Sequence, residues 1–263
     1  MAVTSIFTFN GENKMLQLHL AILYPYVDKF IIVEANKTFT GNDKPMYFSR
    51  DGRFFKDWFK KIEYYPMTDW DDPLLWEMAI KSPNTVGAPH WKREFYIKES
   101  IMKAIEQQKP DDEDLFFIGD VDEIIDPTVE FISDTPVKAK LRVYSYYLNN
   151  RSTEPFHGTL IAQYKDIKGK CLNHLRSDKK LYSKGPYLGW HFTNMGGQDE
   201  IRRKLNDSYT EESYNTFEVQ QQLPERMKDN VDYLGRDFTF SLDESEWPQY
   251  LKDNREQFER LCR

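Results

Sequence analysis

Asp114-Leu115-Phe116-Phe117-Ile118-Gly119-Asp120-Val121-Asp122-Glu123-Ile124 is the stretch on which the reading of this chain turns. Four consecutive apolar residues, 115–118, are too few for a buried helix and suit a strand covered on both faces. That strand delivers carboxylates at i and i+2, then a third, where it leaves the sheet. Like charges this close repel and cost stability unless a cation sits among them. Oxygen donors suit Mg²⁺ or Mn²⁺, which keep waters and share their coordination with substrate phosphates. The competing reading is a solvated turn or helix cap, which acidic residues also favour.

The segments upstream fit such a strand. Residues 5–9 are β-rich and end at Asn10-Gly11; residues 12–24 place Leu16, Leu20 and Leu23 at helical spacing before Pro25. Residues 29–34 form an apolar run closed by Glu34, and residues 62–66 form a short strand. Residues 38–53, with Gly41, Pro45 and Gly52, read as mostly loop, and 69–90, rich in Trp, Pro and Asp, as a long loop or broken helix. Residues 93–108 line Ile97, Ile101, Ala104 and Ile105 on one helical face. This βαβαβ rhythm predicts an α/β fold with a mostly parallel central sheet flanked by helices. In such sheets ligands bind at the carboxyl ends of the strands, so Glu34 and the acidic cluster are expected to face one crevice. Further on, 138–148 alternates as antiparallel strands do, a helix carries Ile201 and Leu205 after Gly197, and residues from 243 onward suit one or two C-terminal helices.

The 263 residues suggest one large domain or two small ones. At 15% aromatic and 40% apolar, the chain has the material for a core. A net charge of −7 disfavours a nucleic-acid partner held by phosphate neutralisation. Cys171 and Cys262 are too few for a disulfide framework or zinc cluster. No apolar run approaches the ~20 residues of a transmembrane helix. The amino terminus shows no leader pattern, so a soluble protein of a reducing compartment is expected.

Two enzyme classes use such an acidic strand end. Haloacid-dehalogenase phosphatases use the first Asp as nucleophile; the mid-chain position of the motif and Ile124 after Glu123 disfavour that reading. Nucleotide-sugar glycosyltransferases of the GT-A type carry Asp-x-Asp in mid-chain, after the nucleotide-binding half. An EF-hand is excluded, because residues 120–126 lack the required Gly and Pro127 follows.

Several collinear segments together resemble glycosyltransferase family 17, which includes the enzyme adding the bisecting β1,4-linked N-acetylglucosamine to N-glycans. They are 9–20, beginning Phe9-Asn10-Gly11-Glu12; 27–34; 38–45; Trp91-Lys92-Arg93-Glu94; 114–124; and Gly189-Trp190-His191-Phe192 with Gly196, Gly197 and Lys204. The resemblance implies a GT-A fold, a UDP-sugar donor, N-acetylglucosamine as the transferred sugar, a glycan acceptor and inversion. It implies one catalytic domain, 1–240, with a donor half (1–125) and an acceptor half (126–240), followed by a helical tail, 241–263. Eukaryotic members are anchored in the Golgi. With no anchor here, a bacterial or viral relative is expected, cytoplasmic or peripheral at a membrane. Where the family pattern has a His after Lys204, this chain reads Ser208-Tyr209-Thr210-Glu211, which separates acceptor specificity from the resemblance.

Under this reading Asp120 and Asp122 hold the divalent cation, Mn²⁺ or Mg²⁺, against the donor diphosphate. His191 completes the metal shell or is a core histidine. An inverting transfer needs a base. Asp199, after Gly196-Gly197, is the first candidate, with Glu200 and Glu123 behind it; a helix-start acid is the alternative for the first two. Glu34 meets the uridine or caps its strand, and Arg93 and Lys44 are candidates for the diphosphate. Trp70, Trp76 and Trp91 suit a lid or a sugar platform. Two rival functions remain at this level: a Mg²⁺-dependent phosphohydrolase with Asp120 as nucleophile, and a non-catalytic carbohydrate-binding protein.

Overall fold

The computed structural model describes residues 1–81, 89–129, 135–210 and 214–263. The acidic strand is β4 (Leu115–Asp120), and it lies in the middle of a ten-stranded sheet. Its first half is parallel: β3 (Ile62–Met67), β2 (Lys29–Ala35), β1 (Val3–Thr8) and β4 lie side by side in that order. Alternation explains why these strands read as continuous apolar runs. Phe7, Phe30, Ile32 and Phe117 enter one core with Leu16 and Leu20 of α1 (Asn13–Leu23), while Ile6, Ile31, Val33, Phe116 and Ile118 enter another with Ile101 and Ile105 of α4 (Pro89–Gln107). Both faces are buried, so both parities must be apolar.

The expected mostly parallel sheet is corrected: the sheet is mixed. β8 (Phe156–Gln163) runs antiparallel to β4 and to β6 (Val137–Ser145), and β7 (Asn150–Ser152) antiparallel to β6 and to β10 (Phe240–Leu242). β9 (Gly189–Thr193) pairs parallel with β6 and antiparallel with β5 (Glu123–Ile125), which curls the sheet's far side. Connection length is the cause. Four residues link β6 to β7, enough for a hairpin, whereas a parallel crossover needs a dozen or more; β8 follows β7 after three residues in the same direction, so it too lies antiparallel to β6.

The 38–53 segment is less loop than expected. It contains α2 (Tyr47–Asp51) and leads into a 3₁₀ helix, Gly52–Lys61. Within 69–90 lies α3 (Pro73–Lys81); residues 82–88 fall outside the described residues, as does Glu211. The short helices α5 (Tyr164–Ile167) and α6 (Leu172–Ser177) cover the α4 face beside β8. α7 (Gln198–Ser208) and α8 (Phe217–Asp229) enclose a separate cluster with Tyr146 and Tyr233. In the carboxyl-terminal segment, which holds α9 (Gln249–Asp253), Trp247, Leu251 and Phe258 are buried in the α1-side core. No helix among the described residues is long and apolar enough to cross a membrane.

Candidate active site

β1 continues through α1 to β2 on one side, while β4 lies on the other side of β1. The carboxyl ends of β1 and β4 therefore form the switch point at which α/β sheets bind ligands. A cavity of about 460 Å³ opens there, within the range of small-molecule sites. Thr8 and Asp120 are register partners at its floor, and Thr8 Oγ1 donates to Asp120 Oδ1 at 2.9 Å.

Strand parity fixes what Asp120 meets. It follows Phe116 and Ile118 on the α4 face, so its Oδ2 lies 3.6 Å from Lys98 Nζ of α4 and 3.7 Å from Arg176 Nη2 of α6. Burial works against its charge, but these two cations hold the Asp120 carboxyl well below the usual range. Asp122 sits in the turn after β4, its Oδ2 3.5 Å from His191 Nε2 and 3.8 Å from Lys204 Nζ of α7. Burial again opposes ionisation, and His191 and Lys204 overcome it. The reciprocal effect raises the imidazole and the ammonium against their own desolvation. Each acid thus already has two basic groups of the protein beside it. The repulsion that the sequence implies is answered by cations distant in sequence.

Glu123 is different. It lies opposite His191 in the β5–β9 pairing, is almost fully buried, and accepts from Thr159 Oγ1 at 2.9 Å. No cation lies within ion-pair distance of it among the described residues. Burial first, and Asp120 second, push its carboxyl upward. Two glycines make its room: a Cβ at Gly158 would stand 2.7 Å from Glu123 Cδ, and one at Gly119 2.7 Å from Oε2.

The other expected site residues scatter. Lys44 lines the cavity, but Glu34 behind it is fully buried and occupied, accepting from the Tyr47 amide (2.6 Å), the Phe48 amide (3.0 Å) and Tyr64 Oη (2.9 Å), with Lys44 Nζ at 3.4 Å. Arg93 lies under Gly41 and donates to the Phe39 carbonyl at 3.3 Å, bracing that loop from beneath. Asp199 is fully exposed, 4.0 Å from Arg202, and Glu200 bonds Arg203 at 2.9 Å; neither lines the cavity. Of the three tryptophans only Trp91 reaches it. Trp70 and Trp76 stack in a satellite core with Tyr96.

The cavity holds residues the sequence reading missed: Thr8, Glu94, Lys98, Glu154 and Arg236, with Arg176 just behind Asp120. Lys98 left a trace, being a cation next to the apolar stripe of α4 and four residues after Glu94, to which it bonds at 2.6 Å. Arg176 left none. α7 closes the far side, where Arg203 Nη1 donates to the Asn10 carbonyl (2.9 Å) and Asn10 Nδ2 to Asp207 Oδ2 (3.0 Å).

Among the described residues no three His, Cys, Asp or Glu side chains converge as a closed metal cage, so the expected set Asp120, Asp122 and His191 is not assembled as one. The donor chemistry nonetheless suits a hard cation. Asp120 and Asp122 both open onto the cavity, and Mg²⁺ sites commonly use one or two carboxylates completed by water and substrate phosphates. His191 Nδ1 is buried there without a hydrogen-bond partner.

The acid pair and the lysines beside it thus stand at the switch point of an α/β sheet, the place where such sheets bind ligands. Comparison with known families is specific: the chain matches Glycosyltransferase family 17 over residues 2–262 and belongs to that family. It is accordingly a glycosyltransferase, a class for which neither rival function has comparable support. No curated protein and no solved structure matches the chain.

Proposed function

We propose that the chain is an inverting GT-A-type transferase that moves N-acetylglucosamine from its UDP ester to a glycan hydroxyl, with Mn²⁺ or Mg²⁺ held by Asp120 and Asp122. The observation that carries this reading is the acid pair on the floor of the switch-point cavity, flanked by Lys44, Lys98 and Lys204. Those lysines suit a diphosphate, and the aromatic rim of Trp91, Tyr209 and Tyr214 suits the apolar faces of sugars.

In the transfer, the acceptor oxygen bonds to the anomeric carbon as the bond from that carbon to the diphosphate oxygen breaks. The hydroxyl proton passes to a carboxylate, for which we assign Glu123: among the three candidate bases it is the one that lines the cavity, and it carries no salt bridge. Lys98 and Lys204 keep Asp120 and Asp122 ionised and place positive charge beside the leaving diphosphate. A divalent cation, when bound, neutralises the charge developing on that leaving group.

Calorimetry with UDP, UDP-N-acetylglucosamine, UDP-glucose and GDP-mannose, each with Mn²⁺ and with EDTA, tests the reading. Metal-dependent binding of the UDP compounds and not of GDP-mannose is expected, and its loss in Asp122→Ala with the fold intact. Binding unaffected by that substitution would remove the acid pair from the donor site. No binding of any nucleotide would overturn the assignment.

A further inference from the structure

The 3₁₀ helix Gly52–Lys61 has a surface unlike the rest of this acidic protein. Three residues per turn set its inner row at Gly52, Phe55, Trp58 and Lys61. Gly52 and Phe55 are buried, Trp58 packs on the α1-side core, and Lys61 donates to the Tyr24 (2.8 Å) and Val27 (2.7 Å) carbonyls. The two outer rows hold Arg53, Phe54, Lys56, Asp57, Phe59 and Lys60, all exposed. Phe54 is 61% and Phe59 46% exposed; Phe59 sets one edge against the buried Phe48 ring, and Phe54 lies out on the surface. Arg53, Lys56 and Lys60 make no ion pair with any described residue, in contrast to the paired cations of the cavity. The Arg53 guanidinium lies over the Phe54 ring, 5.0 Å from its centroid.

Exposed phenyl rings flanked by unpaired cations are the pattern of an interfacial segment. Rings enter the boundary between headgroups and acyl chains while basic side chains meet lipid phosphates. We propose that Gly52–Lys61 docks the protein peripherally on an anionic bilayer surface. Charge complementarity supports this occupant: a chain of net charge −7 gathers three cations, none in an ion pair with a described residue, around two exposed rings, with Asp57 as the opposing charge in the outer rows and Asp51 close enough to feel Arg53. The inference does not depend on the transferase reading.

The test is sedimentation of the full chain with vesicles of phosphatidylcholine alone and of phosphatidylcholine mixed with phosphatidylglycerol. Binding to the mixed vesicles, weakened by salt, is expected. Each basic side chain near an anionic surface contributes roughly fivefold to partitioning, so K56E/K60E should lower it by about 25-fold or more. F54S/F59S should also lower it, with at most a small fall in melting temperature, since Phe54 lies on the surface and Phe59 gives up only its edge contact with Phe48. If F54S/F59S were unstable, K56E/K60E would carry the test alone. Absence of binding to anionic vesicles would overturn the proposal. So would salt-sensitive binding that F54S/F59S retains in full, since that describes general attraction to polyanions.

Discussion

Replacing Glu34 with Gln tests whether this strand-end acid serves the ligand or the fold. The carboxylate is fully buried and receives two backbone amides and the Tyr64 hydroxyl at 2.6–3.0 Å, with the buried Lys44 ammonium at 3.4 Å. These contacts hold the start of α2 against the end of β2. Glutamine keeps the shape but turns one acceptor oxygen into an NH₂ donor facing donors, and leaves Lys44 without its counter-charge. Burial already draws the Lys44 ammonium below its ordinary pKa, with Glu34 opposing that shift, so losing the partner is costly. Removing one member of a buried ion pair costs about 3–5 kcal/mol. At about 2–4 °C per kcal/mol for a domain near this size, the melting temperature should fall by roughly 6–20 °C. Differential scanning calorimetry measures that fall, and UDP titration well below the transition should show affinity within about tenfold of the parent. A variant that melts like the parent but no longer binds UDP would refute the reasoning and make Glu34 a ligand contact.

Three further outcomes are expected. Glu123→Gln should lower turnover by ~10²–10⁴, the usual span for a general base, and leave UDP binding intact by calorimetry; normal turnover would end its candidacy. Gly158→Ala would place a methyl 2.5 Å from the Phe156 ring and 2.7 Å from Glu123 Cδ, so turnover should drop with it while a surface Gly185→Ala, whose methyl reaches only Ser183 Oγ at 4.0 Å, changes little. His19 is buried between Ser5 Oγ and the Val121 carbonyl, each at 2.9 Å, and burial lowers its pKa to about 4. The unfolded chain then binds the extra proton first, so stability is full above the ordinary value near 6.5 and is lost as pH falls towards 4. Chemical denaturation near pH 5 should show about 2 kcal/mol less stability than near pH 7 from this residue, a difference that His19→Gln removes.

Much of the parallel half was legible because local patterning carries it. Residues 29–34 and 115–118 are apolar at both parities, which only a strand covered on both faces requires, and Leu16, Leu20 and Ile97, Ile101, Ile105 mark the helices that cover them. The antiparallel half was less legible. β8 meets β4 across more than forty residues of chain, and periodicity states that a face is buried without naming the strand beside it. Residues 52–61 were hidden for a related reason: a 3₁₀ segment repeats every three residues, so its inward row matches neither the helical nor the strand period.

The candidate site divides along the same line. The sequence alone determined that acids cluster where a buried strand ends, because composition and local order suffice to place Asp120, Asp122 and Glu123 together. Only the tertiary structure decided their chemical states. Lys98 and Arg176 reach Asp120, and His191 and Lys204 reach Asp122, from helices and strands 22 to 82 residues away, while Glu123 receives a hydroxyl and two glycine-made gaps instead of a cation. Tertiary packing likewise turned Asp199 to solvent and closed Glu34 behind Lys44. Charge interactions act through a few ångströms of space, and chain distance does not encode which groups the fold brings within that range.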